Sequence, residues 1–166
     1  RQIEAAIDAI IQETRTLIFE ISPPVLYEIG LWAAIEWLAE TMATQHGIRI
    51  AVAAGEEMHS MDDTLRVLLF RAVRELLLNI VKHARAGNVA VRAAARPDAV
   101  AITVEDDGAG FDTTRFGAET AAAGGFGLYS IKERIHMLGG SMEIDSRPSE
   151  GTRITLTVPV KPAQGP

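Results

Sequence analysis

Apolar positions recur along this chain with two spacings, one near three and a half residues and one of two, and their succession lays out the elements. Ile3, Ile7, Ile10, Leu17 and Ile21 advance by three, four or seven residues, with Thr14 filling the gap. That spacing predicts an amphipathic helix over residues 1–21 whose seam faces another helix. Ser22, Pro23 and Pro24 end it, because proline lacks an amide donor and turns its predecessor away from helical angles. A second helix is expected over residues 31–45, stopped by Gly47. "IRIAVAA", residues 48–54, alternates as a strand does. The next helix starts at Asp62 or Asp63, both good caps, and runs to about His83.

Two strand-like runs follow, "NVAVRAAA" and "AVAITVED", parted by a turn at Arg96, Pro97 and Asp98. Residues 108–127 are rich in glycine and have little periodicity, which marks a loop long enough to be functional. "GLYSIKERIHML" reads as a last helix ending at Gly139 and Gly140, and "SMEIDS" and "TRITLTVPV" close the chain as two strands around a turn at 148–151. The expected architecture is α+β: a two-layer sandwich of a mixed, mostly antiparallel sheet with helices on one face. The expected organisation is a dimerisation helix over 1–22, a linker over 23–30, a domain over 31–160 and a frayed tail over 161–166.

One helix breaks its own pattern. "RELLLNIVKHA", residues 74–84, carries Glu75, Asn79 and Lys82 among apolar residues. At about 100° per residue, Arg71, Glu75, Asn79 and Lys82 share a sector about 80° wide, opposite Leu69, Val73, Leu76, Leu77 and Ile80. The stripe from Glu75 to Lys82 rises about 10 Å, enough for one elongated ligand. Asn offers a carbonyl oxygen to Mg²⁺, Lys a cation to phosphate, and Glu a base or a water-orienting acceptor. A merely solvated helix face explains the same stripe. "EDDGAGF", residues 105–111, places glycines and Asp106 at a strand end, where backbone can approach a ligand and a carboxylate can accept from an exocyclic amine. An ordinary Asp-Gly turn explains that stretch equally. "GGFGL", residues 124–128, precedes a helix whose first amides and dipole favour an anion, and a ligand-free hinge is its plain alternative.

Composition narrows the classes. The 166 residues suffice for one domain whose core needs no covalent staple. The absence of cysteine removes thiol catalysis and Cys-based metal sites and agrees with a reducing compartment. A formal charge of −6 argues against a general nucleic-acid surface, so an anionic ligand must be held by local donors. No apolar run reaches the roughly 18–20 residues of a membrane span, so the chain as given is expected to be soluble, and its expected location is cytoplasmic. The chain opens on Arg1, and is read as a piece of something longer that is open to membrane anchoring elsewhere.

The order of the three motifs is more specific than any of them alone. Together they resemble the ATP-binding domain of bacterial sensor histidine kinases, within the superfamily of gyrase, heat-shock and mismatch-repair ATPases. "RELLLNIVKHA" is similar to its N box, "DDGAG" to its first glycine box, "GGFGLYSIKERIHMLGG" to its second and "EGTRITLTVP" to its closing strand, over residues 31–160. The resemblance implies that Asn79 holds Mg²⁺ and that Glu75 assists proton removal or positions the attacking group. It places Lys82 and His83 on the phosphates of ATP and Asp106 on the adenine amino group. Gly108 and Gly110 make room for the base, Gly125 and Gly127 offer amides to phosphate, Leu128 belongs to the same nucleotide site, and Thr152 stands near the adenine. Residues 111–124 would be a lid over the nucleotide. "TLIFEISPPVLYEIGLWAAIEWLAE" is similar to the junction before this domain in nitrate-sensor-type kinases, which implies a homodimer built on the preceding helix.

The phosphate-accepting histidine of that family has no counterpart here. It is followed by an acidic residue, whereas the four histidines read "HGIR", "HSMD", "HARA" and "HMLG". The implied role is to supply the γ-phosphoryl group to a histidine on a dimerisation helix of the same or the partner subunit, for onward transfer to a response-regulator aspartate. The fragment alone is not expected to phosphorylate itself. Two other readings stay open at this point: a serine kinase of the anti-sigma-factor type, and a non-catalytic dimeric scaffold gated by nucleotide.

Overall fold

The computed structural model describes residues 24–53, 55, 61–96, 98–115 and 126–160. The expected dimerisation helix, His59, Pro97, most of the lid, Gly125 and the tail lie outside the described residues. Helix α1 (Pro24–Glu28) occupies residues expected as linker. Proline is tolerated at a first helical position because its missing amide would have had no partner there, and this is why the pair of prolines does not forbid a helix. Helix α2 (Leu31–His46) follows after Gly30 and buries Leu31, Trp32, Ile35, Leu38 and Met42, which share one face. Gly47 ends it in the left-handed region at φ 67°, its amide donating to the Ala43 carbonyl at 2.9 Å.

Strand β1 (Arg49–Ala53) leads through helix α3 (Asp63–Asn79) to strand β2 (Asn88–Ala95). This α-helical crossover makes β1 and β2 parallel, the one such pair among the described residues. Asp62 caps α3, its carboxylate accepting the Leu65 amide at 2.7 Å. The apolar side of α3 is buried as expected: Leu69, Val73, Leu76, Leu77 and Ile80 are all in the core. The α-helix stops at Asn79, however, and a π turn covers Ile80–Ala84, closed by Arg85 at φ 51°. A π turn holds more residues than an α turn, so Lys82 and His83 leave the straight stripe expected from an α-helix reaching His83.

Strands β3 (Ala99–Asp106), β4 (Ser141–Ser146) and β5 (Thr152–Pro159) complete a sheet of order β1-β2-β3-β5-β4, antiparallel beyond the first pair. Helix α4 (Phe126–Met137) packs on β4 and β5, while α2 packs on β1 and α3. Alternation along each strand separates two faces. Val89, Val91, Val100, Ile102, Val104, Ile154, Leu156 and Val158 point to the helices and are buried. The opposite face holds the Thr103–Thr155 hydroxyl pair at 3.2 Å, and Glu105 bridging Arg92 at 2.7 Å and Arg153 at 2.8 Å. The two-layer α+β sandwich with helices on one face is the observed fold. Among the described residues no helix is long and apolar enough to cross a membrane.

Asp62→Ala leaves the Leu65 amide without its acceptor and is expected to lower the unfolding free energy by about 1 kcal/mol. Urea denaturation should show a lower midpoint with an unchanged slope.

Candidate active site

The apolar face of the sheet does not stay apolar to its end. The register pairs Val104 with Ile154 and Ile154 with Ile144; one step of the pleat further it pairs Asp106 with Thr152 and Thr152 with Ser146. Three polar side chains thus stand in a row on the helix-facing side of β3, β5 and β4. Asp106 is 7% exposed and Ser146 6%. Burial pushes the Asp106 carboxyl above its ordinary value; the Gly108 amide, donating to Oδ1 at 2.8 Å, opposes this, and the neighbouring charges of Asp107 and Glu105 reinforce it. Among the described residues, Oδ2 of Asp106 accepts no hydrogen bond. That oxygen is not sealed from solvent, so water or another donor can reach it.

The loop after Asp106 is clasped on both sides. Ala109 donates its amide to the carbonyl of Ala84, the last residue of the π turn, at 2.7 Å, and accepts from the Ser149 amide at 2.6 Å. A side chain at Gly108 would collide with the Ala84 carbonyl and lie 2.7 Å from its Cβ. Gly110, at φ 55°, faces the Arg147 carbonyl with the Gly151 carbonyl 2.7 Å from where a Cβ would sit. Only glycine fits either position, because backbone from another segment occupies the space. The room made at Gly108 and Gly110 is taken by the protein's own backbone at Ala84, Arg147 and Gly151, which accounts for both glycines without a base.

Asp107 points the other way and acts as a brace. Its Oδ1 accepts the amides of Gly87 and Asn88 at 2.8 and 2.9 Å, and Oδ2 accepts from Asn88 Nδ2 at 2.6 Å. These bonds, the Asn88 side chain first, hold its pKa below the ordinary carboxylate range.

The polar stripe of α3 meets the start of α4. A Cβ on Gly127 would lie 2.6 Å from Glu75 Oε1 and 3.3 Å from Asn79 Nδ2. Glu75 and Asn79 are half-buried, whereas Lys82 and His83 on the π turn are exposed. Leu128 is half-buried against the hydrophobic core. Thr152 is half-buried with its hydroxyl 2.9 Å from Ser146 Oγ. The structure therefore brings Glu75, Asn79 and Gly127 into one cluster and Asp106, Gly108, Gly110 and Thr152 into a second, whose loop is joined to the π turn through Ala84. The Glu75 carboxylate occupies the space a side chain at Gly127 would need, and a neutral amide beside a carboxylate is a donor set that suits a hard divalent cation such as Mg²⁺.

Sequence reading missed Ser146, Asp107 and Ala84. Ser146 left a signal: Met142, Ile144 and Ser146 occupy one face of β4, and the last is polar where the series calls for an apolar residue. Ala84 left none, since its role rests on a carbonyl and on the smallness of its side chain.

Residues 64–162 match the family model described as histidine kinase-, DNA gyrase B- and HSP90-like ATPase. An uncharacterised sensor-like histidine kinase of Chloroflexus aurantiacus is 33% identical over 90% of this chain and 26% of its own length. The signal transduction histidine-protein kinase/phosphatase DegS of Brevibacillus brevis and the oxygen sensor histidine kinase NreB of Staphylococcus carnosus are each 28% identical over 96% of the chain, and over 40% and 45% of their own lengths. The chain thus spans less than half the length of these relatives. The histidine kinase domain of the Erythrobacter litoralis EL346 blue-light activated histidine kinase superposes with a TM-score of 0.65 at 21% identity, covering 78% of this chain and 61% of that one, a likeness of fold. The chain belongs to the histidine kinase-, DNA gyrase B- and HSP90-like ATPase family. Within it, it is the catalytic ATP-binding domain of the sensor histidine kinase type.

Because the folded pKa of Asp107 lies below its unfolded value, its brace stabilises the fold above the ordinary carboxylate pKa and is lost as pH falls through the folded one. Wild type should exceed Asp107→Asn in urea midpoint near neutrality, and the two curves should converge in acid.

Proposed function

We propose that the chain binds Mg-ATP along the polar side of α3 and supplies the γ-phosphoryl group to a histidine imidazole of a two-component sensor kinase, for onward transfer to a response-regulator aspartate. The observation that carries the reading is Asp106: a buried carboxylate, one oxygen held by Gly108 and the other open, at the end of an apolar sheet face. An exocyclic amine is the neutral donor such an oxygen accepts without competing for the charge, and adenine carries one.

Asn79 would hold Mg²⁺ through its amide oxygen, with Glu75 beside it to orient the attacking nitrogen or take its proton. The metal, when bound, would neutralise charge developing on the phosphates. Lys82 and His83, exposed on the π turn, would meet phosphate oxygens, and the amides at Gly125 and Gly127 would do the same from the start of α4. Leu128 packs against the hydrophobic core and so holds Gly127 in place at the start of α4. Gly108, Gly110 and Thr152 would border the base. Residues 111–124 would close over the nucleotide.

The acceptor would come from outside residues 31–160. His46 ends α2 and is exposed, His136 is exposed on α4, and neither stands in the cluster around Glu75. Residues 1–22 would belong to the dimerisation hairpin of a homodimer, residues 23–30 would join it to the domain, and residues 161–166 would be a tail. The domain would work in the cytoplasm. A nucleic-acid partner is not part of this reading.

Asn79→Ala should abolish binding of Mg-ATP measured by calorimetry, and Asp106→Ala should weaken it by roughly ten- to a hundredfold, the worth of a hydrogen bond to a charged group. Because the amine needs the ionised carboxylate, wild-type affinity should fall as pH drops through the raised pKa of Asp106, and Asp106→Asn should lack that dependence. Unchanged affinity in Asn79→Ala would remove the reading. Added to a segment bearing the acceptor histidine, the chain should yield an acid-labile phosphate; an acid-stable one would place it on another residue.

A further inference from the structure

The row Asp106, Thr152, Ser146 contains a hydrogen count that decides which way its hydroxyls point. Ser146 Oγ has three neighbours: the Phe111 amide at 2.9 Å, the Gly151 carbonyl at 3.0 Å and Thr152 Oγ1 at 2.9 Å. An amide can only donate, so Ser146 accepts from Phe111. A carbonyl can only accept, and Gly151 is buried, so the single hydrogen of Ser146 goes to it. Thr152 must then donate its own hydrogen to Ser146. What remains on Thr152 Oγ1 is a lone pair, and among the described residues nothing else hydrogen-bonds to that hydroxyl.

Directly opposed residues of an antiparallel pair hold their Cβ atoms about 4.5–5.5 Å apart, so the Thr152 hydroxyl and the Asp106 carboxyl are neighbours on the helix-facing side of the sheet. Both present acceptors. We infer that Ser146 is a positioning residue that holds the Thr152 hydroxyl as an acceptor, so that the pocket admits a purine with an amino group at C6 and turns away one with a carbonyl there. The inference rests on the proposed reading that a nucleotide base lies against Asp106, and adds the residue that enforces the choice of base. Two acceptors match the two hydrogens of an amine. A carbonyl oxygen would face two like lone pairs with no hydrogen between them, the arrangement by which a buried polar site rejects a near-isostere. Without Ser146, the Thr152 hydroxyl can turn and donate, and the rejection is lost.

The test is binding of ADP and of inosine diphosphate, which carries a carbonyl at C6, to the 166-residue chain with Mg²⁺ in mildly alkaline buffer, by calorimetry. Wild type should prefer ADP, and Ser146→Ala should narrow the preference by about tenfold, the worth of one neutral hydrogen bond. Thr152→Val, which keeps the shape and removes the lone pair, should narrow it to the same extent, and Ser146→Ala added to Thr152→Val should change the ratio no further. A role of Ser146 in folding alone would lower stability without moving the ratio. A wild-type ratio in folded Ser146→Ala, or a further fall in the double variant, overturns the inference while leaving the nucleotide reading intact. If Ser146→Ala does not fold, Thr152→Val decides, a wild-type ratio there overturning the inference. Wild type that binds neither nucleotide overturns the underlying reading, and this inference with it.

Discussion

A carboxylate buried at the end of an apolar sheet face is the constraint around which the rest of this molecule is arranged. Asp106 continues the inward series Val100, Ile102, Val104 on β3, and a methyl-bearing residue in its place would extend the core at no electrostatic cost. Instead the chain buries a charge, and the surroundings compensate locally. Gly108 donates its amide, Asp107 turns outward to lock the loop onto Gly87 and Asn88, and Thr152 and Ser146 continue the row with hydroxyls. One oxygen of the carboxylate accepts no hydrogen bond among the described residues, and in the proposed reading a donor on the nucleotide base meets it.

The π turn at Ile80–Ala84 links the loop after Asp106 to the polar side of α3. Upstream of it, α3 is a core helix whose polar side carries Glu75 and Asn79. Downstream, the Ala84 carbonyl receives the Ala109 amide and sets the height of the loop that holds Asp106. The same five residues carry Lys82 and His83 to the surface. Gly127 brings the start of α4 against Glu75 and Asn79 from the other side. Packing of α3 through Leu69, Val73, Leu76 and Leu77 therefore positions both clusters at once, and a shift in that helix would move Asn79 and the loop after Asp106 together. Pi turns inserted in helices are frequent at functional sites, and the geometry here gives a physical reason.

Much of this was legible in the amino-acid sequence, because each element obeys the period of its own structure. The runs at 88–95, 99–106 and 141–146 alternate cleanly, and the strands occupy the same residues. Asp62 and Gly47 cap the helices they were expected to cap. The motif order pointed to the family and to the residues that cluster. What escaped depends on relations that a local pattern does not encode. The parallel pairing of β1 follows from the crossover through α3. Helix α1 begins on a proline that reads first as a helix breaker. The π turn leaves no mark in polar periodicity until Lys82 and His83 are seen displaced, and Ala84 acts through its backbone.

The central claim is that a magnesium-bound adenine nucleotide lies between α3, the loop after Asp106 and the start of α4. A crystal structure of the chain with Mg²⁺ and a non-hydrolysable ATP analogue tests it most directly. The account predicts the adenine amine within hydrogen-bond reach of Asp106 Oδ2 and the metal bound by the Asn79 amide oxygen. Nucleotide bound elsewhere, or Asn79 packed against protein with no metal beside it, would contradict the account.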